Sequence, residues 1–203
     1  MFEFLADIYK QYKCTKVVQL GDMFDIHRVS RHSPEPDAVD IETEIRLARK
    51  GVDELSRLFP KMKVCYGNHD LRAVKMAKNV GISESMLKPI SALFGCPDTW
   101  LWSNEHMDDD VLYFHGDGYS GEAGAIRAAK EKRMSVVLGH LHSNAGVIYN
   151  NNGHNQIFGM NAGCLIDRNS VAFRYGALSK TKQVLGCGVI ESSRKAYFEA
   201  LEV

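Results

Sequence analysis

Four short stretches carry most of the chemistry of this chain: Leu20 to Arg28 (LGDMFDIHR), Cys65 to Asp70 (CYGNHD), Tyr113 to Gly118 (YFHGDG) and Val137 to His142 (VLGHLH). Each follows an apolar run suited to a buried strand, then turns at once to carboxylate, amide and imidazole side chains. In open α/β sheets the loops beyond the carboxyl ends of strands gather on one side, so residues distant in sequence converge there. Asp22, Asn68, His115, His140 and His142 all hold such positions. Carboxylate, amide oxygen and imidazole together suit borderline divalent ions, and so many histidines argue against Ca²⁺. Mn²⁺ is the first expectation, with Fe²⁺, Zn²⁺ or Mg²⁺ as the others.

Taken singly, each stretch has an ordinary reading. Gly-Asp after a strand is a common turn in which the carboxylate bonds nearby backbone. Asn and Asp serve turns as readily as metals, and a lone histidine after a strand is more often a satisfied core residue. What points to a site is the conjunction of all four at strand ends.

The elements that must position these residues follow from periodicity. Phe2, Leu5, Ile8, Tyr9 and Tyr12 recur at helical spacing, and KVVQL then reads as a short buried strand. The loop SRHSPEPD ends on Asp37 as the expected N-cap of a long helix, whose apolar stripe is Ile41, Ile45, Ala48, Val52, Leu55 and Leu58. MKVCY is a strand, DLRAVKMAKN a short basic helix, and Ser83 to Phe94 a further helical segment closed by GCPD. Trp100 and Trp102 are expected to pack a loop before the strand VLYFH, and His106 to lie in a surface turn. A small-residue helix from Ser120 to Arg133, the strand SVVLG, and then strands and turns complete the chain, with a hairpin signal at NNNG. The expected class is α/β, a sandwich with helices packed outside, in a single domain.

Composition limits the partners. The 203 residues are 45% hydrophobic and 25% charged, ordinary for one globular domain. Lys plus Arg and Asp plus Glu cancel at 25 each, so no global field draws the chain to duplex DNA or an anionic membrane. Phosphate recognition must be local, and Arg28, Arg31, Arg72 and Lys75 sit where a basic rim could form; a solvated helix face explains Arg72 and Lys75 equally well. No apolar run approaches the roughly 20 residues of a membrane span, and no leader pattern opens the sequence, which makes a cytoplasmic home the expectation. Five widely spaced cysteines suit reduced core thiols better than a disulfide framework.

The ordered series GDMFD, GNHD, HG and GHLH resembles the motif set of the calcineurin-like metallophosphoesterase superfamily, over nearly the whole chain. FGMNAGCLIDRNSVAFRYG and HGDGYSGEAGAIRAAKEKRMSVVLGHLH resemble the C-terminal halves of its compact phage and prophage members. The resemblance implies a four-layer α-β-β-α sandwich of two mixed sheets flanked by helices, with two metals sharing a bridging aspartate. Carried over by position, Asp22 is that bridge, Asn68, His115 and His140 complete one metal site, and His142 belongs to the other. His69 would protonate the leaving oxygen, with Asp70 orienting its imidazole, while Asp25 stands behind Asp22. The implied activity is hydrolysis of a phosphate ester by metal-activated hydroxide, foremost a phosphodiester, as in a nuclease or a cyclic-nucleotide enzyme. A phosphomonoesterase or protein phosphatase is the alternative.

The chain departs from this pattern at one place. The family opens with D-x-H on a strand before the first helix, whereas here Asp7 is followed by Ile-Tyr-Lys inside the first helix itself. The expectation is one complete metal site and one incomplete, with His27 of Asp25-Ile26-His27 as a possible substitute ligand. A truncated start, a natural one-metal form and a strand supplied by another chain would each account for it. An absent strand leaves sheet edges exposed, so self-association is expected. The rival reading is a binding or scaffold protein on an impaired version of the same fold.

Overall fold

A computed structural model describes residues 1–29, 39–166 and 182–202. The amphipathic opening forms helix α1 (Phe2–Gln11), with Ile8 buried. Helix α2 (Ile41–Leu58) is capped by Asp40, whose carboxylate accepts the Thr43 N–H at 2.9 Å. This corrects the expected start: the capping carboxylate is Asp40, and Asp37 lies outside the described residues. The basic stretch gives α3 (Arg72–Asn79). Ser83 to Phe94 is not one helix but a short 3-10 turn (Glu84–Met86) followed by α4 (Ile90–Phe94). Pro89 explains the break, because it has no N–H to give and biases Lys88 away from helical backbone. Gly95, at φ 72°, then ends α4 in the left-handed conformation. Helix α5 (Gly124–Lys132) buries its small face, including Ala125, Ala128 and Ala129.

Strands β1 (Val18–Gln19), β2 (Met62–Cys65) and β3 (Trp100–Ser103) form a parallel sheet in that order. Val18 pairs with Lys63, and Met62 with Trp100. The tryptophans expected to pack a loop thus lie in a strand, where Trp100 is buried and donates Nε1–H to the Phe59 carbonyl at 2.9 Å. A second, mixed sheet runs β4-β5-β6-β8-β7, from β4 (Glu105–Asp108), β5 (Val111–Phe114), β6 (Ser135–Leu138), β7 (Ala145–Asn151) and β8 (Gln156–Ala162). Its centre, β5-β6-β8, is parallel, and β4 and β7 flank it antiparallel. His106, expected in a turn, sits in β4 with Nε2 3.0 Å from the Val64 carbonyl oxygen. Strands β9 (Gly186–Glu191) and β10 (Lys195–Ala200) make a separate hairpin.

Alternation along the five-stranded sheet assigns its two faces. Leu112, Val136 and Leu138 pack on α5. The intervening Val111, Val137, Phe158 and Met160 pack with Leu20 and with Ile190, Ala196 and Phe198 of the hairpin. On the three-stranded sheet, Met62, Val64 and Trp100 cluster with Val52 of α2 and Phe94 of α4. The architecture is therefore mixed α/β, two main sheets flanked by helices. A cavity of about 1070 Å³ lies beneath the apolar face of α1, between β1 and β9, and reaches Asp22, His140 and His142. Among the described residues β1 stands at the edge of its sheet. No cysteine forms a disulfide, and no helix of the described residues is long and apolar enough to cross a membrane.

Candidate metal centre

The loop after β1 begins with a tight turn that glycine makes possible. Gly21 has φ 94°, and the Gln19 side chain braces it, Nε2–H donating to the Gly21 carbonyl and Oε1 accepting the Gly21 N–H. A Cβ on Gly21 would lie 2.6 Å from the Gly67 nitrogen, and one on Gly67 would lie 2.1 Å from the Asp22 nitrogen. Both residues must be glycine for the loops after β1 and β2 to touch. Asp22 itself takes φ 54° and His140 φ 59°, left-handed backbone that costs energy in a non-glycine residue and clusters at functional sites.

Asp70 fastens the two loops together. Its Oδ2 accepts the N–H groups of Asp22 (2.9 Å) and Gly67 (2.8 Å), and its Oδ1 accepts that of Phe24 at 3.0 Å. The side chain is almost fully buried, and burial pushes its carboxyl up to about 6 in spite of those donors, with Asp22 adding to the rise. Asp70 does not orient His69. That place belongs to Asp25, whose Oδ1 lies 2.6 Å from His69 Nδ1.

Four donor atoms from four strand ends converge. His115 Nδ1 donates to the Leu20 carbonyl at 2.8 Å, which leaves Nε2 to face inward. Around that Nε2 stand Asn68 Oδ1 at 2.9 Å, His140 Nδ1 at 3.1 Å and Asp22 Oδ2 at 3.2 Å. A carboxylate oxygen, an amide oxygen and two ring nitrogens crowd one point, where a single proton can satisfy only one contact. Ligands about 2.1 Å from a common ion would be about 3.0 Å apart at octahedral right angles and about 3.4 Å apart in a tetrahedron, so the observed spacing fits a divalent cation. Among the described residues, Asp22, His115 and His140 form a group able to hold a metal, with ligand atoms within 4.8 Å of one another.

The electrostatics suit that task. Burial pushes the Asp22 carboxyl up, but the His115 hydrogen bond, the charges of His115 and His69 and the His69 N–H outweigh it and hold the group at about 2. Burial works against the His115 imidazolium, yet Asp22 beside it raises the ring above its ordinary value. His140 is lowered by burial and by the neighbouring His115 charge, and His142 chiefly by burial. The lowered His140 keeps its lone pair available for a cation, and at His115 a cation would take the place of the proton that Asp22 favours.

Other expected site residues fall in different places. His142 lines the cavity with Asp22 but stands outside the donor group. His27 is buried, its Nδ1 3.6 Å from Asp25 Oδ2, and does not join the group either. Arg28 is exposed and donates to the Val39 carbonyl, while Arg31 lies outside the described residues. Arg72 reaches the site: Nη1 donates to the carbonyl oxygen and Oδ1 of Asp25, and Nη2 meets His69 Nε2 at 3.1 Å. His69 Nε2 is also 3.9 Å from Asp22 Oδ2, so the ring borders the donor cluster. Burial raises the Asp25 carboxyl, but His69 and Arg72 outweigh it and leave it below its ordinary value. Sequence reasoning passed over Gln19, Gly21 and Gly67. The Gly-Asp and Gly-Asn pairs were signals for them, since glycine directly before a donor marks a close backbone approach. No protein-family model and no curated protein matches the chain, so the chemistry of the site rests on its own geometry.

Proposed function

We propose that this chain is a metal-dependent phosphoesterase of the calcineurin-like metallophosphoesterase type, built as a four-layer α-β-β-α sandwich and acting foremost on phosphodiesters of nucleotide or nucleic-acid character. The observation that carries the proposal is the approach of Asp22 Oδ2, Asn68 Oδ1 and His140 Nδ1 to His115 Nε2, all within 3.2 Å. A divalent ion held there, Mn²⁺ first, supplies positive charge to a phosphoryl oxygen and acidifies water. The chain's own residues do the rest. Asp70 fixes the loops that carry Asp22 and Asn68, the Leu20 carbonyl fixes the His115 tautomer, and Asp25 orients His69 so that Nε2 can hand a proton to the leaving oxygen.

Preference for diesters comes from the motif resemblance, and substrate class is read by comparing bis-p-nitrophenyl phosphate with p-nitrophenyl phosphate in the presence of Mn²⁺. Expected is metal-dependent turnover, faster on the diester, and lost in Asn68→Ala and His140→Ala. Turnover that survives both substitutions would overturn the proposal. One observation favours a second reading, a binding protein on an impaired site: Asp7 is followed by Ile-Tyr-Lys where the resembled family carries D-x-H. A folded chain that binds the ion and turns over neither ester would support that reading instead.

A further inference from the structure

Arg72 does more at this site than line a basic rim. As the first residue of α3, it donates from Nη1 to the carbonyl oxygen and to Oδ1 of Asp25, both at 2.5 Å. Its Nη2 donates to His69 Nε2 at 3.1 Å, while His69 Nδ1 donates to the same Asp25 Oδ1 at 2.6 Å. The imidazole is engaged at both nitrogens. Its proton sits on the Asp25 side, and the Nε2 lone pair is committed to the guanidinium. Yet Nε2 is the nitrogen that borders the donor cluster, 3.9 Å from Asp22 Oδ2. The resting arrangement thus covers the atom that has to meet a leaving oxygen.

The two ends of the guanidinium are held unequally. Nη1 has two oxygen acceptors, one of them a carboxylate, whereas Nη2 has one neutral nitrogen, the weaker partner. A phosphoryl oxygen arriving beside Asp22 and His69 offers Nη2 a charged acceptor in place of that nitrogen. The side chain is only 14% exposed, so water competes little for the exchange. A planar fork can keep Nη1 on Asp25 while Nη2 changes partner, which a single ammonium cannot do.

We infer that Arg72 is a displaceable strap: it covers His69 Nε2 in the resting site and passes Nη2 to a phosphoryl oxygen when a phosphate ester enters, uncovering Nε2 beside the leaving oxygen. The inference rests on the phosphoesterase reading of the same site. No covalent bond changes in the switch itself; because Nδ1 already carries the ring proton, the uncovered Nε2 lone pair first binds a proton from solvent, and that proton is the one it gives to the leaving oxygen. One hydrogen bond from Nη2 to Nε2 is exchanged for one from Nη2 to phosphate, and the Asp25 contacts persist.

The test is NMR of nitrogen-labelled protein titrated with inorganic phosphate, without metal and with Zn²⁺, beside Arg72→Lys and the steady-state kinetics of both proteins. In the wild type, phosphate should move the His69 Nε2 resonance to that of an uncovered nitrogen. In Arg72→Lys, Nε2 should begin uncovered and ignore phosphate, with KM for p-nitrophenyl esters raised on the order of 10-fold and kcat retained. A merely structural role would lower kcat with loss of folded protein and would give no such split. Phosphate that binds but leaves Nε2 covered, no response to phosphate at all, or a wild-type KM in Arg72→Lys would each overturn the inference. If no ester is hydrolysed with any divalent ion and phosphate still uncovers Nε2, the hydrolytic reading fails and the strap stands. If esters are hydrolysed while Nε2 stays covered, the strap fails alone.

Discussion

A carboxylate that already accepts three backbone N–H groups has little left for a neighbouring ring, and that competition divides the labour between Asp70 and Asp25. Asp70→Asn replaces one acceptor oxygen with an NH₂ that must face a backbone N–H. The expected cost at pH 4 is about 2–3 kcal/mol, read by urea unfolding at that pH; an unchanged midpoint there would contradict it. The same residue gives a pH signature in the metal-free protein. Its carboxyl titrates at about 6 folded against 3.8 as the ordinary value, so the native state holds the extra proton between them. The Asp70 contribution is present below the ordinary value and is lost as pH rises through about 6, a total of about 3 kcal/mol. The stability gap between wild type and Asp70→Asn should therefore narrow from pH 4 to pH 7, and a gap that widens would reverse the sign. The residue types of the donor cluster were legible in the sequence because each follows its strand directly. The Asp70 role was not, since adjacency to His69 in GNHD suggests a partner that folding gives to Asp25, three residues beyond Asp22.

At the scale of elements, the helix on the five-stranded sheet depends on one missing methyl group. A Cβ on Gly159 of β8 would lie 2.2 Å from the Ile126 nitrogen and 2.3 Å from the Ala125 carbonyl carbon, both backbone atoms of α5 that cannot swing aside. Gly159→Ala should cost about 3 kcal/mol, measured by denaturant unfolding, through displacement of α5 from the sheet. A loss below about 0.5 kcal/mol would show that the contact is slack. Periodicity made α1, α3, α5 and the strands from β5 to β8 legible, because each has a single apolar stripe or a short buried run. It failed where local chemistry overrode the pattern. Pro89 splits the apolar run from Ser83 to Phe94, and Asp40, not Asp37, supplies the cap to α2. Trp100–Ser103 and Glu105–Asp108 form strands that the sequence shows weakly, four residues each and separated by Asn104 alone.

For the whole molecule, the cavity of about 1070 Å³ and the edge position of β1 belong together. Protein interiors pack to near-crystalline density, and an edge strand beside apolar space invites pairing with further backbone. A net formal charge of zero adds no electrostatic barrier to such contact. Sedimentation at micromolar concentration should show species heavier than the 22.8 kDa chain, and a monodisperse monomer would contradict this. The size of the cavity was not legible in the sequence, because it depends on how far β9 stands from β1. The decisive measurement is calorimetric titration of Mn²⁺ into the protein, beside Asp22→Ala and Asn68→Ala. One tightly bound ion per chain is expected, with affinity weakened on the order of 100-fold or more in each variant. An ion that binds the variants as well as the wild type, or no binding at all by a folded chain, would contradict it.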